Sequence, residues 1–80
     1  MSRTIPAPPP EIKLSPIPNV RKADGAAEWI TDTLGIPVTE QYIRDKTNRK
    51  QISYWLIRGV RHYSTQALYD FIMSQQEVGS

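Results

Sequence analysis

The residues of this chain that could do chemistry are basic side chains gathered between Gln41 and Tyr63. That stretch holds six bases against one acid, Asp45, whereas the rest of the chain holds four bases against seven acids. The six bases are Arg44, Lys46, Arg49, Lys50, Arg58 and Arg61. Because lysine and arginine bind phosphate oxygens through charge and hydrogen bonds, their concentration predicts a surface that binds a polyanion. The competing interpretation is an ordinary solvated face that needs no partner.

Other kinds of site find little support in the composition. The chain has 80 residues, no cysteine and a single histidine, His62. No thiolate metal site is therefore possible, and one histidine alone does not make a zinc site. No nucleophile, base and orienting group can be named together, so we expect a protein without enzymatic activity, metal or cofactor. No apolar run reaches the roughly 20 residues of a membrane span, which predicts a cytoplasmic protein.

The chain divides into three parts by composition. Six of its seven prolines lie in the first eighteen residues, where they disfavour helix and remove backbone donors. We expect a flexible Pro-rich leader over 1–22, one folded domain over 23–76, and a frayed tail over 77–80. Arg21 and Lys22 could add phosphate contacts where the leader ends.

Two helices are predicted to position the first bases. Asp24 is a good N-cap for a helix over 25–34, and Gly35 supplies the left-handed backbone that ends it. Thr39 can cap a second helix that runs from Glu40 to Asn48 or Arg49. With Ile43 toward the core, a step of about 100° per residue turns four side chains to solvent. These are Gln41, Arg44, Asp45 and Asn48.

A hairpin is predicted to hold the remaining bases. The residues over 52–57 and 60–63 are rich in β-branched and aromatic types, and Arg58-Gly59 between them could form a two-residue turn. Pairing across that turn would place Tyr54 near Tyr63, Trp55 near His62, and Leu56 near Arg61.

A closing helix is predicted from its N-cap Ser64 to about Gln75, with its core-facing stripe at Leu68, Phe71 and Ile72. The aromatic residues could form a stacking platform for single-stranded nucleic acid, but core packing suits most of them better in so small a domain. Trp55 alternates out of phase with Tyr54 and Leu56, so we expect it to be exposed and available to a neighbouring protein.

The order helix, turn, helix, basic hairpin and closing helix makes a mainly helical α+β fold, a small winged helix-turn-helix domain. Four segments carry a family resemblance: TLGIP, YIRDKTNRKQI, SYWLIRGVRHYS and ALYDFI. Over residues 24–74 the chain resembles the excisionase-type DNA-binding domains of bacteriophages and related mobile elements. It is more distantly similar to the DNA-binding heads of mercury-resistance-type regulators.

The resemblance implies a function and a set of contacts. Such proteins bind and bend attachment-site DNA and direct an integrase toward excision, and several copies often bind side by side. The second helix would enter the major groove with Thr39, Gln41, Arg44, Asp45 and Asn48. Backbone phosphates would be bound by Lys46, Arg49 and Lys50. The wing would contribute Arg58, Gly59, Arg61 and His62.

Double-stranded DNA is thus the expected partner, together with further copies of the chain and a phage integrase, inside a bacterial host cell. Two alternatives stay open. A small repressor or Cro-like regulator would use the same DNA-facing residues, so the sequence does not separate it from an excisionase. A protein-interaction module would instead use the Pro-rich leader or the face that carries Trp55.

Overall fold

The computed structural model describes residues 12–75, which form three helices and three short strands. In chain order these are strand β1 (Val20–Arg21), helix α1 (Lys22–Trp29) with a π-helical continuation (Ile30–Leu34), helix α2 (Glu40–Asn48), strands β2 (Trp55–Ile57) and β3 (Val60–Tyr63), and helix α3 (Thr65–Ser74). The strands form one antiparallel sheet in the order β1-β3-β2. The predicted α+β class is confirmed, and the sheet has one strand more than the predicted hairpin.

The additional strand comes from the segment predicted as a flexible leader. Val20 and Arg21 pair with β3, and Ser15 is held at the start of α3, where its N–H donates to Thr65 Oγ1 at 2.9 Å. The ordered structure therefore begins before the predicted domain boundary at 23, because Val20 and Arg21 are paired with β3. The first eleven leader residues and the predicted tail over 77–80 lie outside the described residues.

Helix α1 begins earlier than predicted. The chain passes from β1 into the helix through Lys22, whose φ of 64° is left-handed, and Arg21 takes the N-cap position without a side-chain cap bond. Asp24 instead lies in the first turn, where its carboxylate accepts from the N–H of Gly25 at 2.9 Å. The prediction of Asp24 as N-cap was therefore wrong. The predicted end is confirmed, since Gly35 caps the π-helical continuation with a φ of 73°.

Helix α2 has the predicted N-cap and a well-defined end. Thr39 Oγ1 accepts from the N–H of Tyr42 at 3.1 Å. At the other end Lys50 N–H donates to the Thr47 carbonyl at 2.9 Å and Gln51 N–H to the Lys46 carbonyl at 3.0 Å. This pair of bonds is a Schellman motif, and it places Lys50 in the left-handed position that glycine usually occupies, with a φ of 61°.

The hairpin register is confirmed. Trp55 pairs with His62 and Leu56 with Arg61, and Arg58 and Gly59 both have positive φ, as a type I′ turn requires. Strand β2 is shorter than predicted, so Tyr54 is not paired with Tyr63. Val20 pairs with Tyr63 from the opposite edge instead. Strand β3 is thus the central strand of the sheet.

The core lies where α1, α2, α3 and the sheet meet. Its fully buried hydrophobic side chains are Ala26, Ile30, Ile43, Ile52, Tyr63 and Leu68, with Phe71 beside them. Thr47 is also buried, and its hydroxyl donates to the Ile43 carbonyl at 2.7 Å. The Tyr63 hydroxyl lies 2.7 Å from Thr47 Oγ1 and is therefore the donor in that bond. This contact joins α2 to the end of β3.

Helix α3 closes the domain as the sequence predicts. Ser64 Oγ caps it by accepting from the Ala67 N–H at 3.0 Å. Leu68 and Phe71 are buried as expected, Ile72 is half-buried, and Tyr69 is buried although no prediction included it. The ring of Phe71 lies 6.2 Å from that of Tyr42, so α3 contacts the flank of α2.

Candidate nucleic-acid interface

Helix α2 presents one polar face to solvent. Ile43 and Thr47 point into the core, which leaves Gln41, Arg44 and Asn48 exposed and Asp45 half-buried. The predicted orientation of the helix is thereby confirmed. Two buried residues four positions apart fix the rotation of a helix about its axis, so the outward side chains are held in a defined direction.

Two of the bases on this helix are already paired with acids. The Arg44 guanidinium contacts the Glu40 carboxylate, and Arg49 Nε lies 3.4 Å from Asp45 Oδ2. All four side chains are about half exposed or more. Exposed pairs of this kind contribute at most about 1 kcal/mol to stability, so a competing phosphate can displace the carboxylate at little cost.

The bases lie on both flanks of the polar face. Arg44 and Lys46 are separated by about 200° around the helix axis. Lys46 Nζ lies 5.4 Å from the centroid of the Tyr42 ring, on the flank that contacts α3. Arg44 faces the sheet, where it shares a recess with Arg61. Gln41, Asp45 and Asn48 occupy the middle of the face.

The remaining predicted residues of this region lie at the two ends of α2. The Thr39 hydroxyl is used as an acceptor for the N-cap bond, which leaves its own proton available to a ligand. Lys50 is exposed just beyond the C-terminus, where its left-handed backbone turns the side chain away from the helix. Lys50 therefore extends the basic surface past Arg49.

The hairpin presents three more predicted residues around Gly59. Arg58 is exposed at the turn, and Arg61 lies with its guanidinium carbon 5.1 Å from the centroid of the Tyr54 ring. His62 Nδ1 lies 2.9 Å from the Val60 carbonyl, which can only accept, so this nitrogen carries a proton. None of these three has a carboxylate partner among residues 12–75.

The junction of β1 and α1 adds two bases to the surface, Arg21 and Lys22. Lys22 lies with Arg44 and Arg61 around a recess of about 340 Å³, whose rim also carries the carboxylates of Asp24 and Glu40. Arg21 lies with Arg58 and His62 around a second recess of about 360 Å³ that no acid lines. The structure thus brings together bases from β1, α2 and the hairpin.

The sequence suggests phosphate contacts for both bases but does not predict where the fold places them, because the short strand that leads into α1 has only a weak sequence signal. Val20 is a β-branched residue two positions after Pro18, a pattern compatible with an edge strand. A two-residue strand forms only when a partner strand is in place, however, and no local pattern reports that partner.

The opposite edge of the sheet is apolar and exposed. Trp55 and Leu56 are 39% and 66% exposed, and Tyr54 and Ile57 are also exposed. The expected exposure of Trp55 is confirmed, and the neighbouring Tyr54 and Leu56 are exposed as well. Trp55 and Phe71 line a neighbouring recess of about 500 Å³.

The described residues contain neither a candidate metal site nor a candidate membrane-spanning helix. No three histidine, acidic or cysteine side chains in residues 12–75 come together to bind a metal ion. Among the helices of the same region, none combines the length and apolar character needed to cross a membrane. Comparison of the chain with protein-family models, with curated proteins and with solved structures finds no match.

Proposed function

We propose that this chain is a small winged-helix protein that binds double-stranded DNA at specific sites and acts as an excisionase. The observation that carries the proposal is the position of the polar face of α2 beside a basic hairpin, with Arg44 and Arg61 around one recess. A phosphate backbone that follows one element would therefore meet the other. The sequence resemblance supplies the more specific role in recombination.

The arrangement of residues on α2 suits a helix bound in the major groove. Gln41 and Asn48 can each form two hydrogen bonds with adenine, and Asp45 can accept from cytosine. On the flanks, Arg44 faces the sheet and Lys46 faces α3, which is where the two phosphate backbones that border a groove would pass. Arg49 and Lys50 would extend the phosphate contacts beyond the C-terminus of the helix.

The hairpin suits the role of the wing. Its bases have no carboxylate partners in the described part of the chain and so are free for phosphate or for a narrow minor groove. Its tip is also geometrically defined, because the confirmed register and the type I′ turn fix the direction of Arg58. We assign the wing mainly to affinity and α2 mainly to sequence recognition.

Several copies are expected to share one DNA site. One module of this size covers roughly 600 to 1,000 Å² on DNA, which is small for tight binding alone. Bending a site of about 20 to 30 base pairs costs on the order of 1 to 6 kcal/mol, and several copies can divide that cost. The exposed apolar strand β2 offers a surface for contact between neighbouring copies.

The proposal is tested by titrating the full chain against attachment-region DNA, a promoter fragment and a random duplex, each across a salt series. Stepwise cooperative shifts on attachment DNA alone would support an excisionase, and preference for the promoter would support a Cro-like regulator. Binding to none of the three at low salt would refute DNA binding. Neutralising Lys13, an exposed base in the N-terminal segment, provides a control for a general loss of charge.

Recognition by α2 is tested by a pair of variants. Asn48→Ala removes a base-reading side chain, so it should weaken specific binding by about 1 to 3 kcal/mol and leave random-duplex binding nearly unchanged. Lys46→Ala removes a flanking charge and should weaken both to a similar extent. The family resemblance predicts that Arg44 contacts bases, and Arg44→Ala tests that prediction on the same scale. Equal losses for all three variants would mean that α2 does not read bases.

The role of β2 is tested separately. Leu56→Ser removes the most exposed apolar side chain of the strand without touching a base. It should reduce the cooperativity of binding to a multiple site while the affinity for a single site stays the same. Unchanged cooperativity would remove β2 from the proposed contact between copies.

A further inference from the structure

Strand β1 and the first residue of α1 bring two bases that the wing and α2 do not themselves supply. Arg21 and Lys22 are consecutive and both exposed, yet each lies beside a different recess. We infer that β1 and the first residue of α1 form a third element of the DNA interface, with Arg21 binding a backbone phosphate beside the wing and Lys22 binding one between the wing and α2. This inference rests on the proposed function, since it names further contacts to the same ligand.

The position of Arg21 follows from strand pairing. Arg21 pairs directly with His62, and directly paired residues project from the same side of a sheet. Arg58 completes this recess from the turn, so three basic side chains come from three separate points of the sheet. Among residues 12–75 no acid lines this recess, and a phosphate oxygen would have several donors within it.

The position of Lys22 follows from a change in chain direction. Its left-handed backbone ends β1 and starts α1, which turns the side chain toward α2 and away from Arg21. There it joins Arg44 and Arg61. The carboxylates of Asp24 and Glu40 lie on the same rim, so Lys22 raises the local balance to three bases against two acids. Without Lys22 this recess would be neutral.

Both bases are set on backbone that tertiary contacts fix. Strand β1 is paired with the central strand, and the residues before it are tied to α3 through Ser15. The two charges are therefore presented at fixed positions, unlike charges on a free tail, and less conformational entropy is lost when phosphate binds.

The experiment compares the wild-type chain with an Arg21→Ala, Lys22→Gly double variant on a fluorescein-labelled random DNA duplex across a salt series. Glycine is chosen at Lys22 because it accepts the left-handed backbone. Each lost phosphate contact lowers the slope of log affinity against log salt by about 0.9, so the double variant should lose roughly 1.8 units and bind roughly 60-fold more weakly near 0.1 M salt.

Two controls separate the possible results. An Arg21→Lys, Lys22→Arg variant keeps both charges and should retain the wild-type slope, and Lys13→Ala removes one exposed charge elsewhere and should also retain it. Circular dichroism verifies that each variant is folded. If the wild type binds DNA and the Ala/Gly variant keeps its slope, the inference is wrong and the proposed function stands. If the wild type does not bind at all, both are wrong.

Discussion

Helix α2 and the β2–β3 hairpin carry all six bases of the predicted polyanion surface, but they hold them in different ways. On α2, Arg44 and Arg49 are each paired with an acid one turn away. On the hairpin, Arg61 rests on the Tyr54 ring, and neither it nor Arg58 has a carboxylate partner within residues 12–75. Within residues 12–75, Arg44 and Arg49 thus form nearly neutral pairs beside the unpaired Lys46 and Lys50, whereas both bases of the hairpin are unpaired.

The difference suggests a division of labour on DNA. An unpaired base gains phosphate and releases counterions without losing another partner, so the hairpin arginines, like Lys46 and Lys50, should contribute more to affinity and its dependence on salt than the paired arginines do. A paired base must exchange its carboxylate for phosphate or a base edge, so it gains less from a generic polyanion. This exchange is favourable only at DNA sites that offer the paired arginines of α2 a complete set of new hydrogen bonds. Charge pairing on α2 would therefore favour specific sites over random ones.

The largest effect is expected where the two regions are joined. Tyr63 is fully buried at the end of β3, and its hydroxyl donates to Thr47 of α2. Tyr63→Ala should destabilise the domain by about 3 to 5 kcal/mol, because it removes a large core side chain and leaves a cavity. Tyr63→Phe should cost only about 1 kcal/mol, since Thr47 keeps its bond to Ile43. Urea denaturation measures both, and equal losses would mean that the hydrogen bond is the main contribution.

A large loss of DNA affinity is expected when both arginines of the hairpin are neutralised. Arg58→Asn with Arg61→Gln removes both unpaired charges while Asn-Gly still suits the type I′ turn. Affinity for a random duplex should fall roughly 60-fold near 0.1 M salt, with a slope smaller by about 1.8 units. A salt titration by fluorescence anisotropy measures this. Retention of the wild-type slope would show that the hairpin does not contact phosphate. The proposed difference between the hairpin and α2 in phosphate binding would then be wrong.

The sequence predicted those structural features whose signals lie within a few adjacent residues. The caps Thr39 and Ser64, the Gly35 helix end and the Arg58-Gly59 turn were all predicted, because each depends on a few adjacent residues. The solvent face of α2 followed from placing one residue, Ile43, in the core.

The features that were missed depend on distant partners. Strand β1 has two residues and forms only against β3, more than forty positions away, so neither its pattern nor its length predicts it. Without that strand, Asp24 seemed the first good N-cap, and the helix was predicted to start too late. The acid partners of Arg44 and Arg49 are visible as i, i+4 spacings, and that signal could have been used.

A moderate gain in binding is expected from breaking one pair on α2. Glu40→Gln removes the acid that contacts Arg44, so the helix should behave more like the hairpin. Random-duplex affinity should rise by up to roughly eightfold near 0.1 M salt, with a steeper slope, because one more base can exchange counterions for phosphate. Folding stability should change by no more than about 1 kcal/mol, since the pair is exposed.

The matched control for that gain is Glu28→Gln, which removes an exposed acid on α1 that has no ion pair in the described region. It changes the net charge by the same amount without freeing a base. If both variants increase affinity equally, the gain comes from net charge alone and the pairing on α2 has no special role.

The smallest expected effect concerns the backbone conformation of three bases. Among residues 12–75 the non-glycine residues with positive φ are Lys22, Lys50 and Arg58, and all three are basic. Glycine or asparagine would adopt these conformations at lower cost, so a long basic side chain there sacrifices stability for charge at a defined point. They lie at the start of α1, just after the end of α2 and at the hairpin turn, so this feature is common to both sides of the comparison.

Lys50→Gly tests this idea most directly, because Lys50 has no recorded side-chain partner in the described part of the chain and occupies the C′ position of a Schellman motif. The variant should be about 1 kcal/mol more stable in urea denaturation while its affinity for a random duplex falls roughly eightfold near 0.1 M salt. Lys50→Arg should change neither, since it keeps both the charge and the strain. If the glycine variant is more stable but binds DNA more weakly, Lys50 contributes its charge to binding at the expense of an unfavourable backbone conformation. A gain in stability with unchanged binding would assign Lys50 to ordinary solvated surface, and would limit the interface to bases held by the sheet and the body of α2.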